Sequence, residues 1–121
     1  MSADAALAMT ERLRADLKTA MRARANDETR VVRALLGAID NGQAVPLDPS
    51  RKPADSGIFG DSANEVPRRI LTPDDMAALL AREIEERETA AAEMERLGQS
   101  DRAAMLRAEA AIVQRYCSDP A

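Results

Sequence analysis

The chain contains no histidine, no tryptophan and a single cysteine, Cys117, among its 121 residues. A lone cysteine closes no internal disulfide, and without histidine the ligand spacings of zinc sites are missing. The lack of a disulfide framework points to a reducing interior. Phe59 and Tyr116 are the entire aromatic content. β-Sandwiches and barrels draw on many aromatic and β-branched residues, so an all-β fold is excluded. No apolar run approaches the roughly 20 residues of a membrane span. The N-terminus also lacks the basic-then-apolar layout of a secretory signal. A cytoplasmic protein with no membrane association is the expectation. Glycine-rich phosphate loops, Gly-x-Ser-x-Gly elbows and Ser-Ser-Lys amidase patterns do not occur. Cys117, near the C-terminus and without a histidine to activate it, reads as inert. The expectation is therefore no catalytic residue, no metal and no cofactor.

What the chain does have is alanine. Hydrophobic residues make up 45%, but 25 of those 55 side chains are Ala. Alanine favours helix and buries little area, so the core must rest on a short set of Leu, Ile, Val and Met. Net charge is −4 and unevenly spread. Residues 1–42 hold seven basic and six acidic side chains, whereas 72–121 hold six basic and eleven acidic. Any affinity for nucleic acid must be local and belongs to the first half.

Helical periodicity is the dominant pattern. Met9, Leu13, Leu17, Ala20, Met21 and Arg24 recur at three- and four-residue steps, predicting a helix over 3–24. Asn26 or Asp27 is expected to cap a second helix over 27–41, which carries Val31, Val32, Leu35, Leu36 and Ile39 and stops at Asn41-Gly42. Residues 43–71 hold four of the six prolines and read as a long irregular loop, with a short extended piece over Val66 to Leu71. Thr72-Pro73-Asp74-Asp75 predicts a capping box for a third helix over 73–97. Its stripe is Met76, Leu80, Ile84, Arg87, Ala91 and Met94, and Gly98 ends it. Ser100 is expected to cap the last helix, 101–116, with Ala103, Leu106, Ala110, Val113 and Tyr116 inward. The predicted fold is all-α, one domain over 1–121. Two antiparallel helical hairpins, 1–42 and 72–121, are joined by the loop 43–71.

Two stretches resemble a known family. Residues 12–41, RLRADLKTAMRARANDETRVVRALLGAIDN, and 82–116, REIEERETAAAEMERLGQSDRAAMLRAEAAIVQRY, are similar to the YqeY-like proteins. These share a superfamily with the tail of the GatB subunit of glutamyl/aspartyl-tRNA amidotransferase. Asp16, Lys18, Ala20, Met21, Arg22, Ala23, Arg24 and Arg33 fall on the first family pattern. Glu83, Ile84, Arg87, Gly98, Asp101, Glu109 and Tyr116 fall on the second. Ala25 stands where the family has an acid, and Cys117-Ser118 replaces Leu-Pro. The similarity covers the family's N-terminal helical part only. The resemblance implies a non-catalytic accessory of tRNA-dependent amidotransferase chemistry, with tRNA or an amidotransferase-type protein as partner. A carbon–nitrogen ligase activity would be inherited from that resemblance. The alternative is a helical protein–protein adaptor or homo-oligomer with no RNA role.

Four sets of residues are candidates. Arg14, Lys18 and Arg22 are spaced by four and share one helical face, with Arg24, Arg30 and Arg33 nearby in the hairpin. Such a set can track a phosphate backbone. The plainer reading is a solvated face partly neutralised by Glu11, Asp16 and Asp27. Arg87 interrupts an apolar stripe and is expected to pair with Glu109 across the second hairpin, setting helix register. Glu83, Glu85, Glu86 and Glu88 crowd the third helix and read as a solvated acidic face. Finally, the surface that a following subdomain covers in the family is expected to leave Leu106, Val113 and Tyr116 exposed as a partner interface.

Overall fold

The structure, a computed structural model, describes residues 4–44 and 68–117. It is all-α. Four helices pack as two hairpins: α1 (Ala5–Arg22) with α2 (Asn26–Gln43), and α3 (Pro73–Arg96) with α4 (Ser100–Cys117). The stretch 45–67, most of the expected loop, lies outside the described residues, as does the start of the expected extended piece. Arg68 to Leu71 belong to neither helix nor strand. Among the described residues no helix is long and apolar enough to cross a membrane.

The helix ends follow from local chemistry. Asp4 accepts the amide hydrogen of Ala6 and caps α1. Thr72 and Asp75 form the expected capping box on α3, with Pro73 in the first turn. The Thr72 amide holds the Asp75 carboxyl below its usual range. The cap of α2 differs from expectation. Ala25 occupies that position with no side-chain hydrogen bond, and Asp27 turns to Arg30 instead. Gly42 does not stop α2, which runs on to Gln43, and Ser100 is the first residue of α4 rather than its cap. Both α1 and α3 end in paired back-bonds closed by a left-handed residue. In α3 that residue is Gly98, φ 79°, with Gln99 N–H on Met94 O at 2.7 Å and Gly98 N–H on Glu95 O at 3.0 Å. In α1 it is Arg24, φ 56°, with Ala25 N–H on Ala20 O at 2.9 Å and Arg24 N–H on Met21 O at 3.2 Å. A side chain in this conformation crowds the following carbonyl.

The core is the short aliphatic set that composition demanded. Leu13, Val31, Val32, Leu35, Ile39, Leu71, Met76, Leu80 and Val113 are buried together, closed by Ala6 and Tyr116. Each large side chain contributes about 1.5–3 kcal/mol on burial. Toward the α3–α4 turn only Ala91 and Ala103 are buried, so the hairpin tip is held by small residues. Met21, placed in the α1 stripe by its spacing, is half exposed, because Ala20 takes the inward position. A second correction is larger. Val113 and Tyr116 are buried and Leu106 is half-buried, so the expected open interface at Leu106, Val113 and Tyr116 does not form. The first hairpin itself covers this face: α1 brings Asp16 and Arg12 onto Tyr116.

The segment after the loop is tied to the end of α2. Arg69 N–H donates to Gln43 O at 2.7 Å, Arg68 pairs with Asp40 at 2.5 Å, and Ala5 N–H donates to Leu71 O at 2.9 Å. The chain therefore returns to the point it left. Replacing residues 46–66 with a short Gly/Ser linker should keep the helical signal. Shortening the excursion about threefold should stabilise the fold by about 1 kcal/mol, and a cooperative loss of far-UV ellipticity at room temperature would refute this. Arg24→Gly should raise stability by about 0.5–1 kcal/mol, since glycine carries no β-carbon into the left-handed turn. Urea denaturation reads that change, and a destabilised variant would show that Arg24 is held by more than its backbone.

Candidate functional site

Two polar clusters lie between the hairpins, and one cationic face lies outside them. The first cluster centres on Glu109 of α4, a charged residue that is only 8% exposed. Arg87 falls in the α3 stripe three residues after Ile84, and Glu109 three residues after Leu106 in α4, so packing the stripes together brings them face to face. Arg87 Nε donates to Glu109 Oε1 at 3.4 Å. Its Nη1 is held by Glu83, through the side chain at 2.8 Å and the backbone carbonyl at 3.0 Å. Arg30 of α2 reaches in from the other hairpin, its Nε donating to Glu109 Oε2 at 2.9 Å while Nη2 pairs with Asp27 at 2.7 Å. The Glu109 hydrogen bond, followed by that of Asp27, raises the Arg30 pKa. Glu109 thus accepts a guanidinium at each oxygen, and none of the clefts described below is lined by it. Arg30, grouped by sequence with the phosphate-tracking arginines, is engaged here instead.

The second cluster went unnoticed in the sequence. Tyr116 O–H donates to Asp16 Oδ2 at 2.5 Å, and the Arg12 guanidinium sits 4.5 Å above its ring. Arg12 Nη2 also donates to the Arg115 carbonyl at 3.4 Å, and Arg115 pairs with Glu28 at 3.1 Å. Burial, reinforced by the Asp16 hydrogen bond, pushes the phenol well above its ordinary range, so Tyr116 remains a donor. The groups border a cleft of about 200 Å³ at the α1–α4 crossing. No periodicity announces a contact between residues a hundred positions apart.

The cationic face is the third feature. Arg14, Lys18 and Arg22 are exposed on α1 and make no salt bridge among the described residues. Consecutive members are about 6 Å apart along the axis. Arg33 lies beside them on α2, its Nη2 3.8 Å from Met21 Sδ, and exposed Arg24 ends the row. Of the acids expected to neutralise this face, Asp16 points to Tyr116 on the opposite side of α1, and Asp27 is taken by Arg30. Asp40 is likewise paired with Arg68. Glu11 alone of the three remains on the face. Between α1 and α2, Arg14, Leu36, Gly37 and Arg68 border an open cleft of about 510 Å³.

The remaining candidates do not converge. Glu83 is bound to Arg87, while Glu85, Glu86 and Glu88 lie exposed along α3. Among the described residues no group of three His, Cys, Asp or Glu is placed to hold a metal ion. Cys117 is exposed as a residue, and partial burial of its thiol raises its pKa. No protein-family model, curated protein or solved structure matches the chain.

The Glu109 cluster makes a clear demand on stability. Arg87→Ala leaves a buried carboxylate short of a partner and should cost about 2–4 kcal/mol. The Arg87→Ala/Glu109→Ala double variant should lose clearly less than the two single losses combined, because the buried Glu109 carboxylate is no longer there to be stranded. Chemical denaturation of the four proteins measures both quantities. An Arg87→Ala loss below about 0.5 kcal/mol would be surface behaviour and would rule out the structural role.

Proposed function

We propose that the protein is a non-catalytic helical module that binds structured RNA through α1, as an accessory to tRNA-dependent amidotransferase chemistry. The observation carrying this reading is the row Arg14, Lys18, Arg22, whose neighbouring acids are mostly engaged elsewhere. Positive charges at about 6 Å intervals on a rigid helix suit a phosphate backbone, and such contacts position a nucleic acid without reading its sequence. Among the described residues no aromatic side chain lies on the face to stack a base, so a folded RNA suits it better than an unstructured strand.

The choice of tRNA rests on the resemblance to the YqeY-like proteins and the GatB tail. Supporting that resemblance, its motif positions are in mutual contact: Asp16 with Tyr116, and Glu83 with Arg87 and Glu109. Gly98 sits at the turn that needs it. Any ligase activity would belong to an assembled partner, since the single cysteine has no histidine in the chain to activate it.

Titration with unmodified tRNA at several salt concentrations tests the reading. Four cations, Arg14, Lys18, Arg22 and Arg33, should give a log–log salt slope of roughly −3. Lys18→Glu/Arg22→Glu should abolish binding while retaining the helical signal. Failure of the wild-type chain to bind tRNA at about 50 mM salt would defeat the proposal. An adaptor role without RNA would then be the better reading.

A further inference from the structure

The outward face of α3 carries a shallow groove of about 690 Å³. Ala81, Ile84 and Ala92 line it, with Glu85, Glu88 and Glu93 at its edges. Glu93 pairs with Arg96 in the next turn, whereas Glu85 and Glu88 form no salt bridge among the described residues. Alanine at two positions lets a second helix approach closely.

A complementary surface lies on the same chain. The exposed face of α1 reads Leu7, Glu11, Arg14, Lys18, Arg22. On α3, Ala81, Glu85, Glu88, Ala92 and Arg96 are exposed at the same successive steps. Two helices of matching step can lie side by side in either direction. In parallel, Glu85 falls against Glu11 and Arg96 against Arg22, both repulsive. In antiparallel orientation about an Arg14–Glu88 pair, Lys18 falls beside Glu85. Glu11 then faces the Ala92–Arg96 turn, and Arg22 passes over the small Ala81. A parallel register shifted by one position, with Arg14 beside Glu85 and Lys18 beside Glu88, is equally favourable, so the charges select this pair of faces rather than a direction. The two faces of a single chain cannot meet, because α1 and α3 bury their other sides, Ala6 and Leu13 against Met76 and Leu80, in one core.

We infer that α1 of one copy docks in the α3 groove of a second copy, with Arg14 and Lys18 against Glu85 and Glu88. The two surfaces differ, so the association is head-to-tail and either closes into a ring or extends. One helix on one helix is a small interface, so the contact is weak and salt-sensitive. It uses the α1 face assigned above to RNA, and RNA and a second copy compete for it. The inference does not depend on RNA binding.

Sedimentation velocity from about 10 μM to about 1 mM tests the contact. The wild-type chain should grow in mass with concentration at low salt and return to monomer at about 0.5 M salt. Arg14→Glu/Lys18→Glu and Glu85→Lys/Glu88→Lys should each remain monomeric. Their equimolar mixture, and the chain carrying all four substitutions, should associate again. Wild-type monomer throughout, or monomeric behaviour of the mixture, would overturn the inference. All four positions are exposed, and Lys18→Glu with Glu85→Lys gives the same test should a double variant fold poorly. Sedimentation is run without tRNA, so its outcome bears on this contact and not on the RNA reading.

Discussion

Glu109 is the residue on which the arrangement of the two hairpins depends. It sits on the packed side of α4 with almost no access to water and accepts a guanidinium at each oxygen. One comes from α3, its own hairpin partner, and the other from α2, in the opposite hairpin. A carboxylate removed from water is tolerable only when its charge is met and its lone pairs are used. Two oxygens and two arginines on different helices satisfy both conditions in one relative placement. Apolar side chains can slide past one another with little change in energy, whereas a buried charge cannot. In a core this rich in alanine, where shape alone specifies little, an interaction with such a narrow optimum defines register.

The Tyr116 contacts serve the same end two turns further along the same side of α4. The ring fills core volume, its hydroxyl reaches Asp16 of α1, and Arg12 covers its face. An isolated hairpin of alanine-rich helices has a thin apolar stripe, and these polar anchors fix the crossing where methyl groups are few. The remainder of the core, from Leu13 through Val113, then supplies most of the stabilisation without having to supply the specificity.

This division explains what could be read in the sequence. The four helices were legible because their stripes repeat every three or four residues and because Thr72, Pro73 and Gly98 mark ends in recognisable ways. Arg87 facing Glu109 was legible because both interrupt apolar stripes in consecutive antiparallel helices, so the turn fixes their register. Arg30 as the second partner of Glu109 was not, because it depends on how one hairpin crosses the other, which no local spacing encodes. Tyr116 was misplaced for the same reason. Its exposure was expected from a missing neighbour, yet the neighbour that covers it is α1 of its own chain. Cap positions at Ala25 and Gln99 shifted by a residue, within the usual fraying of helix ends.

The cationic face of α1 is itself a consequence of folding. Counted along the sequence, residues 1–42 are close to neutral, and nothing in composition marks them as an anion-binding surface. The fold sorts those charges by side. Asp16 lies two positions from both Arg14 and Lys18, so on a helix it projects away from them, toward Tyr116. Asp27 and Asp40 are each met by an arginine that lies off the row. What remains outward is Arg14, Lys18 and Arg22, opposed by Glu11 alone. On α3 the opposite sorting occurs. Arg87 is drawn inward to Glu109, and Arg96 is tied to Glu93, leaving Glu85 and Glu88 outward. The same contacts that set hairpin register thereby give the molecule two faces of opposite sign, a distribution that the net charge of the chain does not show.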